Sequence, residues 1–365
     1  KFYLMKNLKR AFKNKKILVT GHTGFKGSWL CLWLSYLGAN VIGVSNNIPT
    51  SPSNFLVNRI NKDIKNIFCD IKNLKKIKKI ILKSKPDYIF HLAAQSLVKK
   101  SYEDPTLTWN SNLVGTINIL ESLRFLNKDC VSVIITSDKS YKNIETKRGY
   151  HEKDILGGSD PYSASKGAAE FAIQSYVKSF FSNRNCKIRI GVGRAGNVIG
   201  GGDWSENRLI PDCIKSWSKN KTVKIRSPNS TRPWQHVFEA LSGYLSLAIN
   251  LKKNNKLHGE AFNFGPSSSK NYKVDSLLKE FNKIWKQAKW KIDKKRNFKE
   301  SKLLKLNCLK AKKQLKWKSI LTFKEVIFYT ANWYKFYYYK NGQNIKDLSL
   351  KQIQDFYKNY KIRLK

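Results

Sequence analysis

Two short runs, far apart in the chain, hold groups that could do chemistry together. Tyr162-Ser163-Ala164-Ser165-Lys166 places a phenol and an amine four residues apart, on one face of a helix. A phenol with a pKa of about 10 is a poor base at neutral pH; an ammonium beside it stabilises the phenolate and lowers that pKa. Upstream, Thr136-Ser137-Asp138-Lys139 closes an apolar run. Ser137 at the strand end is placed to hydrogen-bond a substrate hydroxyl. Such a trio takes the proton of an alcohol while a nicotinamide takes the hydride. Asp138 and Lys139 exceed what a simple alcohol oxidation needs and allow a second acid/base step. Either motif alone has a bland reading, since Tyr-x-x-x-Lys recurs by chance in a chain rich in both residues and an Asp-Lys pair is usually an exposed turn. Their succession along the chain gives them weight.

The third run is Gly21-His22-Thr23-Gly24-Phe25-Lys26-Gly27, directly after the apolar Ile17-Leu18-Val19-Thr20. A helix N-terminus after a strand presents free amides and a partial positive charge, which suits a pyrophosphate. Gly21 permits the tight turn, Gly24 lets a phosphate approach the backbone, and Gly27 lets the helix pack on the sheet. The second strand ends in Val44-Ser45-Asn46-Asn47, with neither the acid that reads a ribose diol nor an arginine for a 2′-phosphate. Ser45 or Asn46 can bond the diol, so NAD is favoured over NADP. Asp70, after the third strand, either meets the adenine or caps the helix that begins at Leu74.

Elements that alternate strand and helix must carry these groups. Strands are expected at 16–20, 40–44, 67–69, 88–92, 131–136 and 188–192, and helices at 27–37, 74–84, 106–125 and 162–183. Short, continuously apolar strands alternating with helices read as an α/β fold with a doubly wound parallel sheet of the Rossmann type. After Gly193 the pattern turns loop-like and glycine-rich through 194–204. Helices at 209–219, 237–250 and 274–285 and a strand at 261–265 then build a smaller C-terminal α/β lobe. The expected division is an extension at 1–14, a cofactor domain at 15–193 that includes the Tyr/Lys helix, a mainly substrate-binding lobe at 194–340 with some segments returning to the first domain, and a tail at 341–365.

The chain has 365 residues, 41% of them hydrophobic, enough for a substantial core. Its 70 Lys+Arg against 25 Asp+Glu give a formal charge of +45. The lysines are scattered and form no basic arm, so the charge reads as solvated faces without a specific nucleic-acid partner, although polyanions are attracted at low salt. Cys31, Cys69, Cys130, Cys186, Cys213 and Cys308 form no CxxC pair and read as reduced thiols. No metal site is expected. Without an apolar run of about 20 residues or a signal-like N-terminus, no membrane span is expected and the location reads as cytoplasmic. Met5, the single methionine, reads as an alternative start.

The motifs resemble those of the extended short-chain dehydrogenase/reductases, and within them the CDP-sugar branch of the nucleotide-sugar 4,6-dehydratases. The resemblance runs from about Lys15 to the Trp333-Tyr334 region. It rests on Val19 to Trp29, His91-Leu92-Ala93-Ala94-Gln95, Thr136 to Lys139, Tyr162 to Lys166, Arg194 to Trp204, Arg208-Leu209-Ile210-Pro211-Asp212 and Arg232-Pro233-Trp234-Gln235-His236-Val237. It implies a tightly held NAD, reduced and reoxidised in each turnover, contacted by Gly21, Thr23, Gly24, Phe25, Lys26, Gly27, Asp70, Ile71, Leu92, Ala93, Ala94, Thr136, Tyr162 and Lys166. CDP-glucose is the implied substrate, bound by Gln95, Ser96, Asn197, Arg208, Leu209, Ile210, Arg232 and His236, with Trp234 and His236 shaping the pocket. Tyr162, with Ser137 and Lys166, would take the 4-hydroxyl proton, and Asp138 would protonate the departing 6-hydroxyl. Lys139 stands where related enzymes usually carry Glu; it is either a neutral base for C5 or a cation that stabilises the enolate. The product would be a 4-keto-6-deoxy sugar nucleotide, a precursor of surface-polysaccharide (O-antigen) deoxysugars. The resemblance also implies a homodimer or tetramer, with 106–125 and 162–183 forming a four-helix bundle. Asn307 stands where such chains often have Asp. The other readings are a dehydratase or epimerase for another sugar nucleotide, and a catalytically inactive dinucleotide- or polyanion-binding protein.

Overall fold

The computed structural model describes residues 3–146, 148–183, 185–225, 227–266, 272–293 and 303–363. Seven parallel strands form the central sheet: β1 (Lys16–Thr20), β2 (Asn40–Ser45), β3 (Lys65–Phe68), β4 (Tyr88–His91), β5 (Cys130–Ile135), β6 (Ile188–Ala195) and β7 (Ala261–Phe264). Their spatial order is β7-β6-β5-β4-β1-β2-β3. The chain runs outward from β1 through β2 to β3 and returns to β4 on the other side of β1. The order therefore reverses between β1 and β4, where ligands bind in such sheets, beyond the strands' carboxyl ends.

Period-two alternation assigns the residues to two cores. Ile17, Val19, Tyr88, Phe90, Val131 and Val133 belong to one apolar cluster. Their neighbours Leu18, Ile89, Cys130 and Ile134 belong to the other. The second is covered by α3 (Leu74–Ser84), α4 (Gly115–Arg124) and α5 (Pro161–Phe180). The first is covered by α2 (Phe25–Tyr36), α7 (Val237–Lys253), α9 (Phe323–Tyr339) and α10 (Ile345–Arg363). Trp29 to Leu34 of α2 are all buried, because the helix lies between the sheet and these later helices.

Four segments differ from the sequence expectation. The single helix expected over 106–125 is broken into Pro105–Trp109, a π turn at Asn110–Val114, and α4. The π turn holds Asn112, whose side chain accepts from Gln95 N at 2.9 Å and donates to Gln95 O at 3.0 Å and to Ser165 Oγ at 2.9 Å. Local tertiary hydrogen bonds thus displace the regular ladder. Strand β6 continues to Ala195, into the stretch expected as loop. The segment expected as a tail is α10: Ile353 and Phe356 are buried, and the Trp33 indole of α2 donates to the Tyr357 hydroxyl. Its alternation of lysines with aromatics obscures the buried face in the sequence. At the other end, the extension contains α1 (Tyr3–Phe12), with Leu8 and Phe12 fully buried.

The C-terminal lobe is built from α6 (Leu209–Trp217), α8 (Val274–Ile284), a parallel pairing of Val223–Ile225 with Trp290–Ile292, and an antiparallel pairing of Thr231–Arg232 with Tyr272–Lys273. Both β7 and α7 return to the main sheet. Phe356→Ala should lower the unfolding free energy by about 3–5 kcal/mol, as for other buried aromatics. A denaturant midpoint within experimental error of the parent would show that α10 is not part of the cooperative unit.

Candidate active site

The sequence-predicted groups gather at the carboxyl ends of the strands. Gly21 follows β1 with φ +74°, and a Cβ there would lie 2.7 Å from Ala93 N. A Cβ on Gly27 would lie 2.0 Å from Gly21 O, so helix and turn meet backbone to backbone. Gly24 is the N-cap of α2 and offers no capping side chain, which leaves the first-turn amides for a ligand. Thr23 is buried and tied to the β2 side: its N–H donates to Ser45 Oγ at 3.3 Å and its hydroxyl to Asn47 O at 2.6 Å. Ser45 also bonds His22 Nδ1 at 2.9 Å, so it is engaged in holding the turn, whereas Asn46 is exposed at the strand end. This arrangement fits a dinucleotide: open amides, a glycine-lined approach and an exposed diol-side residue.

Leu92, Ala93 and Ala94 leave β4 against that turn, with Ala93 N donating to Thr20 Oγ1 at 3.2 Å. His91 behind them is buried between Thr20 and Thr116 hydroxyls, and desolvation pushes it down to about 3. Asp70 caps no helix: Asn73 takes that position, accepting from Lys76 N at 3.0 Å. Asp70 instead accepts from Lys72 N at 2.9 Å and pairs with the Lys72 amine. Ile71 is buried against Gly115, where a Cβ would lie 2.4 Å from its Cδ1.

The catalytic candidates from β5 and α5 converge. Asp160 caps α5, accepting from Ser163 N at 3.0 Å, and Pro161 opens the helix. Tyr162 and Lys166 in its first turns are both buried. The Ser137 hydroxyl donates to Asp138 Oδ1 at 3.0 Å and hydrogen-bonds Tyr162. Asp138 is buried, and its Oδ2 accepts from Asn197 Nδ2 at 3.4 Å. Desolvation raises the Asp138 carboxyl, against the pull of Lys139, Ser137 and Lys26. Burial also raises the Tyr162 phenol, with Ser137 working the other way. Lys166 is lowered to about 7 by desolvation and by Lys26, against Glu170. The lowered phenol expected from the Tyr/Lys spacing is therefore absent from the protein alone; burial of the phenol is the largest effect on it. Lys139 is exposed, with its Nζ 5.9 Å from the Tyr162 ring centroid.

Among the expected substrate residues, Ser96 and Arg208 meet: Arg208 donates to Ser96 Oγ and to Asp203 Oδ2, each at 3.0 Å. Leu209 and Ile210 follow in the first turn of α6. Asn197 holds a left-handed backbone, φ +50°, beside Asp138. The Gln95 side chain is occupied by Leu97 and Thr108. Arg232 is half-buried on the lobe's Thr231–Arg232 strand. His236 is not brought into the cluster: it is fully buried against Phe238 and Tyr329, and desolvation lowers it to about 3.

Three features carried no recognisable sequence signal. Glu170 and Arg194 form a buried ion pair, Arg194 Nε donating to Glu170 Oε1 at 2.8 Å. Glu170 also accepts from Thr136 Oγ1 at 2.7 Å, and Arg194 donates to Tyr141 Oη at 2.6 Å, so the pair locks the end of β5 to α5. Gly196 admits the Asp138 carboxylate, because a Cβ there would fall 1.7 Å from Oδ2. Lys26 sends its amine to α7, donating to the Tyr244 hydroxyl at 3.5 Å. Among the described residues no group of three His, Cys, Asp or Glu could hold a metal. A cavity of about 700 Å³ lined by Lys16, Val41, Lys65 and Ile80 lies at the opposite ends of the strands, away from this chemistry.

A Rossmann-type sheet with this Ser/Tyr/Lys cluster at its switch point defines the class of nucleotide-sugar dehydratases and epimerases. The chain belongs to the family described as GDP-mannose 4,6 dehydratase, whose sequence profile matches residues 18–330. It is similar to CDP-glucose 4,6-dehydratase of Salmonella typhimurium, 41% identical over 353 residues that cover 95% of this chain and 98% of that protein. A dTDP-D-glucose 4,6-dehydratase of Dictyostelium discoideum is 29% identical over 63% of this chain and 54% of its own. In fold it is similar to the epimerase Mth375 of Methanothermobacter thermautotrophicus (TM-score 0.81, 23% identity, 93% of this chain and 97% of that one). The UDP-glucose 4-epimerase of Thermotoga maritima superposes with a TM-score of 0.77 at 22% identity, covering 88% and 98% of the two chains.

Arg194→Met leaves the Glu170 carboxylate buried without its partner and should destabilise the protein by about 3–5 kcal/mol. The double change Arg194→Met with Glu170→Leu should recover much of that loss. Equal unfolding midpoints for the parent and Arg194→Met would remove the pair from the account of what locks β5 to α5.

Proposed function

We propose that the protein converts CDP-glucose to CDP-4-keto-6-deoxyglucose and water. The observation that carries this reading is the buried Tyr162–Ser137–Asp138 chain at the mouth of the glycine turn; an alcohol oxidation needs the first two, and a dehydration needs the third. The 41% identity to a protein named CDP-glucose 4,6-dehydratase supports the base and the sugar. Gly21, Gly24, Gly27, Thr23 and the loop at Leu92 to Ala94 would hold NAD, with Lys166 beside it. NAD supplies a hydride acceptor that later returns the hydride to the same sugar.

The chain's own residues then divide the proton work. Tyr162 takes the 4-hydroxyl proton while Ser137 orients that hydroxyl. The 4-keto group acidifies C5, and Asp138 protonates the 6-hydroxyl as it leaves. Lys139 meets the sugar from the open side. A hexose over Tyr162 covers it, and the amine takes the C5 proton and returns it after reduction at C6. Arg208, with Ser96 and Asn197, faces the diphosphate side, where a guanidinium suits paired phosphate oxygens.

A homodimer goes with this reading. Tyr102, Trp109, Val114 and Phe171 are exposed on the face made by Val98–Glu103, Pro105–Trp109, the π turn and α5. Large aromatic groups clustered on one face mark association surfaces. All six cysteines are free, which supports a reducing cytoplasmic location. Among the described residues no helix is long and apolar enough to cross a membrane. Deoxysugar supply for a surface polysaccharide is the role such a product implies.

Purified protein incubated with CDP-, dTDP-, UDP- and GDP-linked glucose or mannose should give the alkaline chromophore of a 4-keto sugar from CDP-glucose. Product from another nucleotide and none from CDP-glucose would overturn the substrate. Tyr162→Phe should lower turnover by about 10²–10⁴-fold, and parental turnover from that variant would take Tyr162 out of the mechanism.

A further inference from the structure

The segment Gly200-Gly201-Gly202-Asp203-Trp204 belongs to a matched motif, yet it has no part in the chemistry above. It is gripped by two helices and their neighbours. On the α2 side, the Trp29 indole donates to Gly201 O at 2.8 Å, and a Cβ on Gly202 (φ +82°) would lie 2.4 Å from Asn54 Oδ1. On the α9 side, Trp204 is buried against the rings of Trp333, Tyr334 and Tyr337, and its indole donates to Tyr338 Oη at 3.2 Å. Asp203 is buried in the same segment. One hydroxyl seats its backbone: Asp203 N donates to Tyr334 Oη at 2.9 Å, and Tyr334 Oη donates to Asp203 O. Its carboxylate is fixed twice. Oδ1 accepts from Ser205 N and Oδ2 from Arg208 Nη1, each at 3.0 Å.

The support converges on Arg208. Its other terminal nitrogen donates to Ser96 Oγ at 3.0 Å, so the guanidinium bridges the lobe and the loop after β4. These bonds use two of the five N–H groups that a guanidinium carries. The arginine side chain stays 32% exposed, while the aspartate that holds it is 5% exposed. A buried carboxylate that is seated by its own backbone fixes where the planar fork points. We propose that Asp203 is a positioning residue for Arg208, holding the guanidinium so that the rest of its fork meets the diphosphate of the sugar nucleotide. The inference rests on the reading of Arg208 as a diphosphate ligand given above. Two effects oppose each other here. The carboxylate's charge repels phosphate and by itself weakens binding. The fixed geometry spares the ordering of a long side chain each time a nucleotide binds. Positioning outweighs repulsion, so removing the carboxylate weakens binding although it removes a like charge.

A double-mutant cycle of Asp203→Asn and Arg208→Met tests this, with dissociation constants for CDP, dTDP, UDP, GDP and cytidine measured by calorimetry on the full chain with NAD present. Each single change should weaken CDP by about 10-fold and leave cytidine unchanged. With Arg208 already replaced, Asp203→Asn should have no further effect on CDP. In Asp203→Asn, KM for CDP-glucose should follow the CDP constant while kcat stays within a few fold. Unchanged or tighter CDP binding in Asp203→Asn would overturn the proposal, because repulsion would then outweigh positioning. Equal losses in both backgrounds, or a loss shared by cytidine, would overturn it too, since both mark a general loosening of the lobe. If Asp203→Asn does not fold, Tyr334→Phe takes its place in the cycle. It removes the hydroxyl that seats Asp203 and keeps the carboxylate's charge, and it should weaken CDP by about threefold only where Arg208 is present. The diphosphate is common to all four nucleotides. A preference for dTDP, UDP or GDP ends the CDP reading, and the cycle is then decided with the preferred diphosphate and its own nucleoside as control. If Arg208→Met weakens none of the four, Arg208 is no diphosphate ligand and the proposal falls with that role.

Discussion

The rest of the site depends on the backbone contact between Gly21 and Gly27. With a Cβ on Gly27 placed 2.0 Å from Gly21 O, no other residue lets α2 start so close to the end of β1. That closeness sets the height of the α2 N-terminus above the sheet and brings its uncapped amides to the switch point between β1 and β4. It also sets where Lys26 and Phe25 project. The other strands deliver their groups to the same level because they are parallel and in register: Leu92 follows β4, Ser137 and Asp138 follow β5, and Gly196 and Asn197 follow β6.

The second organising effect is dehydration. Tyr162, Lys166, Asp138, Glu170 and Arg194 are all buried. Only Glu170 and Arg194 meet as a hydrogen-bonded ion pair. The remaining groups are displaced from their ordinary titration ranges by desolvation first and by neighbours second. Such displacement is what proton transfer near neutral pH requires. The ion pair beneath the cluster keeps β5 and α5 rigidly related, so the phenol and the carboxyl share one serine hydroxyl.

Much of this was legible in the residues. The expected strands at 16–20 and 88–92 and the helix at 74–84 agree with the observed elements to within a residue, because each is a short apolar run or a strongly amphipathic one bounded by polar groups. The gathering of Tyr162, Lys166, Ser137 and Asp138 follows from motif spacing once the sheet is parallel. What could not be read depends on long-range packing. Nothing local marks Glu170 as the partner of Arg194, Gly196 as the floor under Asp138, or Asn112 as the reason for a π turn. His236 belongs to a matched motif yet points into an aromatic core, since a motif fixes the backbone path and not which face of it meets the ligand. The phenol's pKa was read from its lysine alone, and burial of the phenol reversed the sign.

The packing of α10 onto α2 bears on how the chain matures. Trp33 reaches Tyr357 and Phe356 across more than three hundred intervening residues. During synthesis, the glycine turn and its helix leave the ribosome long before the segment that covers their apolar flank. Until then Trp33 has no cover from α10, and closing so long a loop is slow. Nascent chains therefore pass through a stage that exposes a tryptophan-rich surface, the kind of surface that chaperones shield.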